Sequence, residues 1–200
     1  MSSFLKKEKD SYNYGDYLNW SEDERWELIQ GIPYLMTPAP SRRSQEVLGE
    51  LFAELRNYLK DKSCRVYLAP FDVRLPAKNE KDEDIKTIVQ PDITVVCDHH
   101  KLDDKGCKGA PDLIVEIVSP SSAAMDYIKK LALYEKNGVK EYWIVHPLDK
   151  IVTVYKLLNH GQYGRPEIYD QEGKIKVEIL GDLILDLKSI FPEEMEQTNS

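Results

Sequence analysis

Two carboxylates lie in apolar, strand-like stretches of the sequence, where a charged group needs a chemical reason. Asp92 follows a proline in VQPDITVV, and Glu116 lies 24 residues later in DLIVEIVS. That separation suits two neighbouring strands that bring both side chains together. A buried carboxylate takes up a proton or a partner, and a shared divalent cation removes the repulsion between two of them, so the pair points to Mg²⁺ or Mn²⁺. Pairing of each acid with an Arg or Lys, or a turn closed by Asp92, are the alternatives.

A lysine on the next predicted helix adds to this pattern. In DYIKKLALY, Asp126, Lys130 and Tyr134 are four residues apart and share one flank of a helix. At roughly 100° per residue, Lys130 borders the apolar face while Lys129 falls on the solvated side. Lys130 can therefore point toward Glu116, where an ammonium would orient a water or neutralise charge on a phosphoryl group. The alternative is a salt bridge between Lys130 and Asp126.

The remaining pattern predicts the elements that position these residues. Helical spacing and capping residues indicate helices over 44–59 and 123–138, the second with Ser119, Ser121 or Ser122 as N-cap and Gly138 as C-cap. A short helix is predicted at 14–20 and a strand pair at 24–36 around Gly31. Short runs rich in β-branched residues predict strands at 64–75, 87–97 and 111–119, followed by a hairpin at 140–157 and edge strands at 173–180 and 183–187. This order predicts a mixed α/β (α+β) fold with a central sheet flanked by helices.

Composition limits the classes of protein that fit. The 200 residues suit one domain, expected over residues 13–190, with flexible tails at 1–12 and 191–200. We expect a cytoplasmic protein without a membrane span, because no apolar run approaches the roughly 18 residues that a span needs. The net charge of -8 argues against nonspecific coating of nucleic acid but does not exclude a nuclease.

Two other groups of residues receive structural interpretations. Cys64, Cys97 and Cys107 show no metal-binding spacing, and we expect reduced structural thiols. The charged run 78–86 is predicted to be a solvated hairpin tip. Basic residues around the first long helix are either solvated surface or the best available patch for nucleic acid; they are Arg42, Arg43, Arg56, Lys60, Lys62, Arg65 and Arg74.

The same residues resemble a known family. The sequence resembles the putative restriction endonuclease family of the PD-(D/E)XK nuclease superfamily over roughly Tyr14 to Leu157. The residues that match are QPD at 90–92, EIVSPSS at 116–122, Asp126, Lys130, Tyr134 and GVKEYWIVHP at 138–147. Each piece is unspecific, but their order and spacing together are specific.

The resemblance implies roles for particular positions. It implies Asp92 as the acid of the "PD" element, Glu116 as the acid of the "(D/E)XK" strand, and metal ligation by both. The superfamily lysine two residues after the acid is Val118 here, and Lys130 on the following helix takes its place by type and spacing. Strand alternation puts Val118 on the face of Glu116, so a lysine from the helix can fill that space. Asp112, in a second "PD", lies on Glu116's own strand and is a decoy.

Other positions depart from the family pattern or stay open. Ser44 and Gln45 replace a frequent His-Gln pair, and His146 precedes Pro147 where the family often has Asp. Glu27, in WELIQG, is either a further acid of the site or a surface partner of Arg25 or a lysine. The roles of Asp126 and Tyr134 stay open.

The resemblance implies a metal-dependent endonuclease, a hydrolase that cleaves phosphodiester bonds, with DNA as the expected substrate and Mg²⁺ or Mn²⁺ as cofactor. A homodimer is expected, because the two strands of a duplex are related by two-fold symmetry. Two alternatives remain: a catalytically inactive nuclease-fold module that binds DNA or a partner protein, and an interaction module without a nucleic-acid role.

Overall fold

The computed structural model describes residues 9–21, 23–36, 40–78, 80–120 and 122–191. Its α-helices are α1 (Tyr14–Tyr17), α2 (Arg42–Tyr58), α3 (Leu131–Asn137) and α4 (Leu187–Ile190), and a π-helical segment, Met125–Lys130, leads directly into α3. Short 3₁₀ helices cover Asp82–Asp84, His99–Lys101 and Glu178–Leu180. The strands are β1 (Trp26–Ile29), β2 (Ile32–Leu35), β3 (Arg65–Leu68), β4 (Val73–Arg74), β5 (Ile88–Val89), β6 (Ile93–Val96), β7 (Leu102–Asp103), β8 (Gly106–Lys108), β9 (Leu113–Ile117), β10 (Glu141–His146), β11 (Ile151–Lys156), β12 (Glu167–Tyr169), β13 (Lys174–Lys176) and β14 (Ile184–Asp186).

The strands form two six-stranded mixed sheets and one separate hairpin. Sheet I has the order β2-β1-β5-β4-β8-β7, and sheet II has the order β12-β11-β10-β9-β6-β3. The pairs β4–β8 and β9–β10 are parallel, and the other neighbours are antiparallel. The predicted mixed α/β class is confirmed, although the strands are divided between two sheets.

Prolines explain why there are two sheets. The stretches 64–75 and 87–97 were each predicted as one strand, but each contributes one strand to each sheet. The first stretch supplies β3 to sheet II and β4 to sheet I, and the second supplies β5 to sheet I and β6 to sheet II. Pro70 and Pro91 lie in the gaps, and a proline cannot donate to a ladder. The chain therefore crosses from one sheet to the other at both prolines.

The two faces of sheet II pack against different partners. Val47, Leu51 and Leu55 of α2 join Val95 and Val115 in one buried cluster, so α2 covers that face and its apolar stripe is core, as predicted. The other face packs against α3, the π-helical segment and sheet I; Ile114, Val118, Tyr134, Ile144 and Ile29 represent this second cluster. Glu116 alternates with Val115 and thus faces the second cluster.

Three expectations require correction. Strands β13 and β14 pair with each other rather than extending the sheet edge, where β12 lies. Cys64 and Cys97 form a disulfide, because the register of β3 and β6 continues to place them opposite each other; only Cys107 remains a buried thiol. Arg74 is fully buried, with its guanidinium bonded to Asp82 and Asp103, so it belongs to no surface patch.

The ends and the remaining predictions fit the described structure in part. Tyr12 and Phe191 are buried, so the packed region includes both. The rest of the predicted tails falls largely on residues 1–8 and 192–200, which lie outside the described residues, as does Ser121, one of the three N-cap candidates. Gly138 ends α3 in the left-handed conformation (φ 83°), as the C-cap prediction requires. None of the described helices is long and apolar enough to cross a membrane.

Candidate active site

The structure brings Asp92 and Glu116 together at one end of sheet II. Ile93 pairs with Val115 in the antiparallel β6–β9 ladder, and one further step in this register places Asp92 opposite Glu116. Asp92 Oδ2 accepts a hydrogen bond from the Ile117 backbone N–H at 2.7 Å, which continues the ladder through a side chain. The two acids therefore lie on the same face, toward the second core cluster.

Lys130 lies among the acids of this site. Its Nζ is 2.9 Å from Glu116 Oε1, 2.9 Å from Glu27 Oε1 and 3.8 Å from Asp126 Oδ1. Each of these side chains is at most 7% exposed. Both sequence-based alternatives for Lys130 are thus realised at once, since it reaches Glu116 and also approaches Asp126.

The helix that carries Lys130 is not the regular α-helix that was predicted. Over Met125–Lys130 the segment is π-helical, and the Leu131 N–H bonds to the Asp126 carbonyl five residues back. Tyr142 of β10 donates a hydrogen bond to the same carbonyl at 3.1 Å and thereby anchors the widened turn. Single π turns within helices occur frequently at functional sites. Here the turn leaves Asp126 and Lys130 both buried against sheet II.

Glu27 reaches the site from sheet I. It lies on β1 at 4% exposure, and its Oε1 forms an ion pair with Lys130 Nζ at 2.9 Å and accepts a hydrogen bond from the Gln90 backbone N–H, also at 2.9 Å. Gln90 sits where the chain crosses from β5 to β6, immediately before Pro91. Glu27 therefore connects sheet I to the helix and to the loop that positions Asp92, rather than forming a surface salt bridge.

Tyr134 fixes the acid of β9 from the other side. Its hydroxyl donates to Glu116 Oε1 at 2.9 Å, and the ring is fully buried against Tyr142, with centroids 4.9 Å apart. Burial, followed by the charge of Glu116, raises the pKa of Tyr134 well above its usual value. The phenol thus stays protonated and acts as a hydrogen-bond donor.

The charge balance of the site is negative. Burial is the first cause that raises the pKa of Glu116 well above its ordinary value; Lys130 opposes this, and the neighbouring acids add to it. Burial likewise raises the pKa of Asp92, and raises that of Asp126 to about 6. Burial alone would lower the pKa of Lys130, but the carboxylates around it, Glu116 first, hold that pKa well above its usual value. One ammonium thus stays charged among more acids than it can neutralise.

Two carboxylate oxygens remain available to a further ligand. Asp92 Oδ2 and Glu116 Oε1 are engaged by the contacts above, whereas Asp92 Oδ1 and Glu116 Oε2 have no hydrogen-bond partner among the described residues. Neither oxygen is among the described side-chain atoms that are both fully buried and without a hydrogen-bond partner, so solvent reaches both. No cluster of three or more His, Cys, Asp or Glu in the described ranges is arranged to hold a metal ion. The Lys130 ammonium lies between Glu27 and Glu116 instead.

The donor chemistry nevertheless suits a hard divalent cation. Carboxylate oxygens are the ligands that Mg²⁺ and Mn²⁺ prefer, and waters and phosphate oxygens normally complete the shell. Two carboxylates with one free oxygen each, in a site with excess negative charge, match that requirement. Asp92 and Glu116 are thus the residues that fit such an ion.

Other predicted positions lie away from these acids. Asp112, the acid of the second "PD", accepts a hydrogen bond from the Cys97 N–H and pairs with Lys140. Ser44 lies in the first turn of α2, on the opposite face of sheet II, where its N–H bonds to the Ser41 hydroxyl. His146 contacts Tyr127, with 2.9 Å between Nε2 and the hydroxyl oxygen.

Gln90 and Arg25 form contacts near the site that the sequence did not predict. Gln90 Oε1 accepts from Arg25 Nε and Nη2, and its Nε2 donates to Tyr17 and Asp72. These contacts join α1, β1 and the 90–92 loop. Gln90 was visible in the QPD motif, but its partners are far away in sequence, and no local pattern reveals them.

A solved structure shares this fold. A protein from Anabaena variabilis ATCC 29413, described as a putative nuclease belonging to DUF820, aligns with a TM-score of 0.71 at 20% identity. The alignment covers 90% of the present chain and 97% of that one. At this identity the likeness establishes the fold alone. No curated protein matches the chain.

The sequence also matches a protein family over most of its length. Residues 14–188 match Uma2, which is described as "Putative restriction endonuclease". The match extends beyond the Tyr14–Leu157 stretch on which the resemblance was recognised, and it includes every residue of the candidate site. It supports a nuclease, and hence a hydrolase with a nucleic-acid substrate. The chain belongs to the Uma2 family of putative restriction endonucleases.

Proposed function

We propose that the protein is a metal-dependent endonuclease that hydrolyses phosphodiester bonds in DNA, with Asp92, Glu116 and Lys130 as its catalytic residues. The observation that supports this most directly is the convergence of Asp92 and Glu116 on one end of sheet II with the Lys130 ammonium 2.9 Å from Glu116. Acids that hold a cation and a lysine that meets the phosphate are the groups that metal-assisted hydrolysis requires.

Asp92 and Glu116 would hold Mg²⁺ or Mn²⁺ through their solvent-reached oxygens. A bound divalent cation supplies Lewis acidity and offsets the negative charge of the phosphate. The protein orients both ligands: Ile117 N–H fixes one oxygen of Asp92, while Tyr134 and Lys130 fix one oxygen of Glu116. Ligands that are held by such outer contacts need little reorganisation on binding.

Lys130 would stabilise charge that develops on the phosphoryl group or orient the attacking water. Its ammonium has three N–H donors; one donates to Glu116 Oε1, and Glu27 Oε1 lies 2.9 Å from the same nitrogen in an ion pair. Glu27 keeps the ammonium charged and in place, so it acts as a positioning residue. Asp126, 3.8 Å from the ammonium, contributes further negative charge.

Conservative substitutions test the assignment. We would titrate Mn²⁺ and Mg²⁺ by calorimetry into the wild type, Asp92→Asn and Glu116→Gln, and then incubate each with plasmid, single-stranded DNA and RNA. Glu141→Gln is the matched control, because Glu141 is an equally buried acid of sheet II that bonds to Trp143 and Ile179 away from the site. We expect metal binding and cleavage in the wild type and the control, and loss of both in the two site variants.

Full cleavage by Asp92→Asn would disprove the metal assignment. Preference for RNA over DNA would disprove the DNA substrate and leave the nuclease proposal standing.

A nuclease-fold module without catalysis is the second candidate. The observation that favours it is the position of Lys130, whose ammonium lies where a cation shared by Glu27 and Glu116 would sit. Nucleic-acid binding without turnover at any Mn²⁺ concentration would support this module and refute the enzyme.

A homodimer and a cytoplasmic location remain predictions. Two-fold symmetry would place two sites against the two strands of a duplex, as an endonuclease that cuts both strands requires. Analytical ultracentrifugation tests this prediction, because a homodimer has twice the 23.1 kDa mass of one chain.

A further inference from the structure

One face of β1 leads from the core through the acid cluster to solvent. Ile29 lies in the second core cluster, Glu27 contacts Lys130, and Arg25, two residues before Glu27, is exposed. Residues two apart on a strand share a face and are separated by roughly 7 Å. The Met36 N–H donates to the Arg25 carbonyl, which continues the β1–β2 pairing up to this residue. Arg25 therefore lies at the mouth of the site, on the face that carries Glu27.

The Arg25 side chain is held in place by a neutral group. Gln90 Oε1 accepts from Nε at 3.1 Å and from Nη2 at 2.9 Å. Gln90 is itself fixed, because its Nε2 donates to Tyr17 at 3.0 Å and to Asp72 at 2.9 Å, and its backbone N–H donates to Glu27. An exposed arginine normally populates many rotamers. Arg25 instead has a defined orientation, because two of its nitrogens donate to the side chain of Gln90, a residue that is only 8% exposed.

The charge of Arg25 has no acidic partner in the part of the chain that the structure describes, where no Asp or Glu lies at ion-pair distance from its guanidinium. A guanidinium has five N–H donors, of which Gln90 takes two, and the remaining donors have a geometry that matches phosphate oxygens. The charge also acts on the site, since it lowers the pKa of Asp92 against the dominant effect of burial.

We propose that Arg25 binds a backbone phosphate of the nucleic-acid substrate at the entrance to the Asp92–Glu116 site. The inference rests on the proposed nuclease function, because it takes the ligand to be the polymer that this site would cut. In a chain of net charge -8 with a negatively charged site, a phosphodiester needs a fixed cation at the entrance. Gln90 positions Arg25 and thereby connects the QPD loop to substrate binding.

Binding and cleavage measured separately test this proposal. Fluorescence anisotropy with a labelled duplex in EDTA would be followed over a series of salt concentrations for the wild type, Arg25→Ala, Arg25→Lys and Arg165→Ala. Arg165 is the matched control, since it is an exposed arginine outside the basic patch around α2 and lies two residues before β12, which is three strands from β9 in sheet II. Cleavage of the same duplex with Mn²⁺ would give kcat and KM for each protein, and thermal melting would show that all of them fold.

We expect Arg25→Ala to weaken duplex binding roughly ten- to a hundredfold and to reduce the slope of log K against log salt by about one, the signature of one lost phosphate contact. KM should rise more than kcat falls. Arg25→Lys should keep the slope but recover only part of the affinity, because a lysine cannot bond to Gln90 and phosphate with a planar fork. Arg165→Ala should match the wild type.

Three results decide between the proposals. If the wild type cuts and Arg25→Ala behaves like Arg165→Ala, Arg25 has no substrate role and the nuclease proposal stands. If the wild type binds the duplex through Arg25 but never cuts, hydrolysis is refuted and the phosphate contact stands. A wild type that neither binds nor cuts DNA or RNA at low salt refutes both.

Discussion

Replacement of Lys130 by methionine would show how much one ammonium stabilises the acid cluster. Methionine keeps most of the apolar stem and removes the charge that lies 2.9 Å from Glu27 and Glu116 and 3.8 Å from Asp126. Removing one partner of a buried ion pair costs about 3–5 kcal/mol, against a total stability of about 5–15 kcal/mol for a typical domain. We therefore expect a folded variant whose free energy of unfolding at pH 8 is lower by about 3–5 kcal/mol.

The loss of stability should depend on pH. A carboxyl whose pKa is raised in the folded state binds more protons there than in the unfolded chain, so stability falls as pH rises from its ordinary pKa toward the folded one, by about 1.4 kcal/mol per unit. Glu116 already has a raised pKa with Lys130 present, and loss of the ammonium raises it further. The difference between variant and wild type should thus be largest at pH 8 and smallest near pH 4.5.

Urea unfolding followed by tryptophan fluorescence at pH 4.5, 6 and 8 would measure this difference. Lys129→Met is the matched control: it is the adjacent residue and the same substitution, but Lys129 is exposed, and its ammonium donates to the Tyr34 hydroxyl at 2.8 Å and lies 4.4 Å from the centre of the same ring. It should cost about 1 kcal/mol or less at every pH. Equal losses for both variants at pH 8 would refute the conclusion that Lys130 compensates buried negative charge.

Two further substitutions probe neighbours of the cluster. Asp126→Asn should reduce the dependence of stability on pH. Burial raises the pKa of Asp126 from 3.8 to about 6, so its ionisation lowers the stability by up to about 3 kcal/mol as pH rises through that interval. Urea unfolding at pH 4 and 7 should therefore show a smaller fall in stability for the variant than for the wild type, with the remaining fall due to Glu116 and Asp92. The groups that act on its titration are Lys130, Ser122, Glu27, Asp92 and Glu116. Tyr134→Phe should lower stability by about 1–2 kcal/mol and, in a wild type that cleaves DNA, lower kcat roughly tenfold at unchanged KM, because Glu116 loses its second donor; unchanged kcat would show that this donor does not orient the acid.

The strands that carry Asp92 and Glu116 were predictable because they depend on local rules. Asp92 precedes a β-branched run and Glu116 interrupts one, and alternation along each strand predicts the face on which a side chain lies. The apolar stripe of α2 followed from helical spacing in the same way. The pairing of β6 with β9, which brings the two acids together, was allowed by the 24-residue separation but not required by it.

The contacts that complete the site were not predictable in this way. Glu27 approaches Lys130 only because β1 and β5 pair in sheet I, and that pairing depends on Pro70 and Pro91 dividing two apparent strands between the sheets. The disulfide of Cys64 with Cys97 likewise depends on a long-range pairing, that of β3 with β6. Long-range pairing is set by the whole chain, and periodicity within one segment does not encode it.

The place of the lysine shows what the superfamily pattern requires physically. Val118, where the pattern has lysine, is 4% exposed and packs in the second core cluster on the same face as Glu116. The π turn brings Lys130 to that space from the opposite side, and its ammonium ends 2.9 Å from the acid. A second ammonium from position 118 would need space that Val118 fills with apolar contacts. Under the proposed function, the requirement is therefore for one ammonium within hydrogen-bond distance of the β9 acid, and in this chain the lysine of the π-helical segment supplies it.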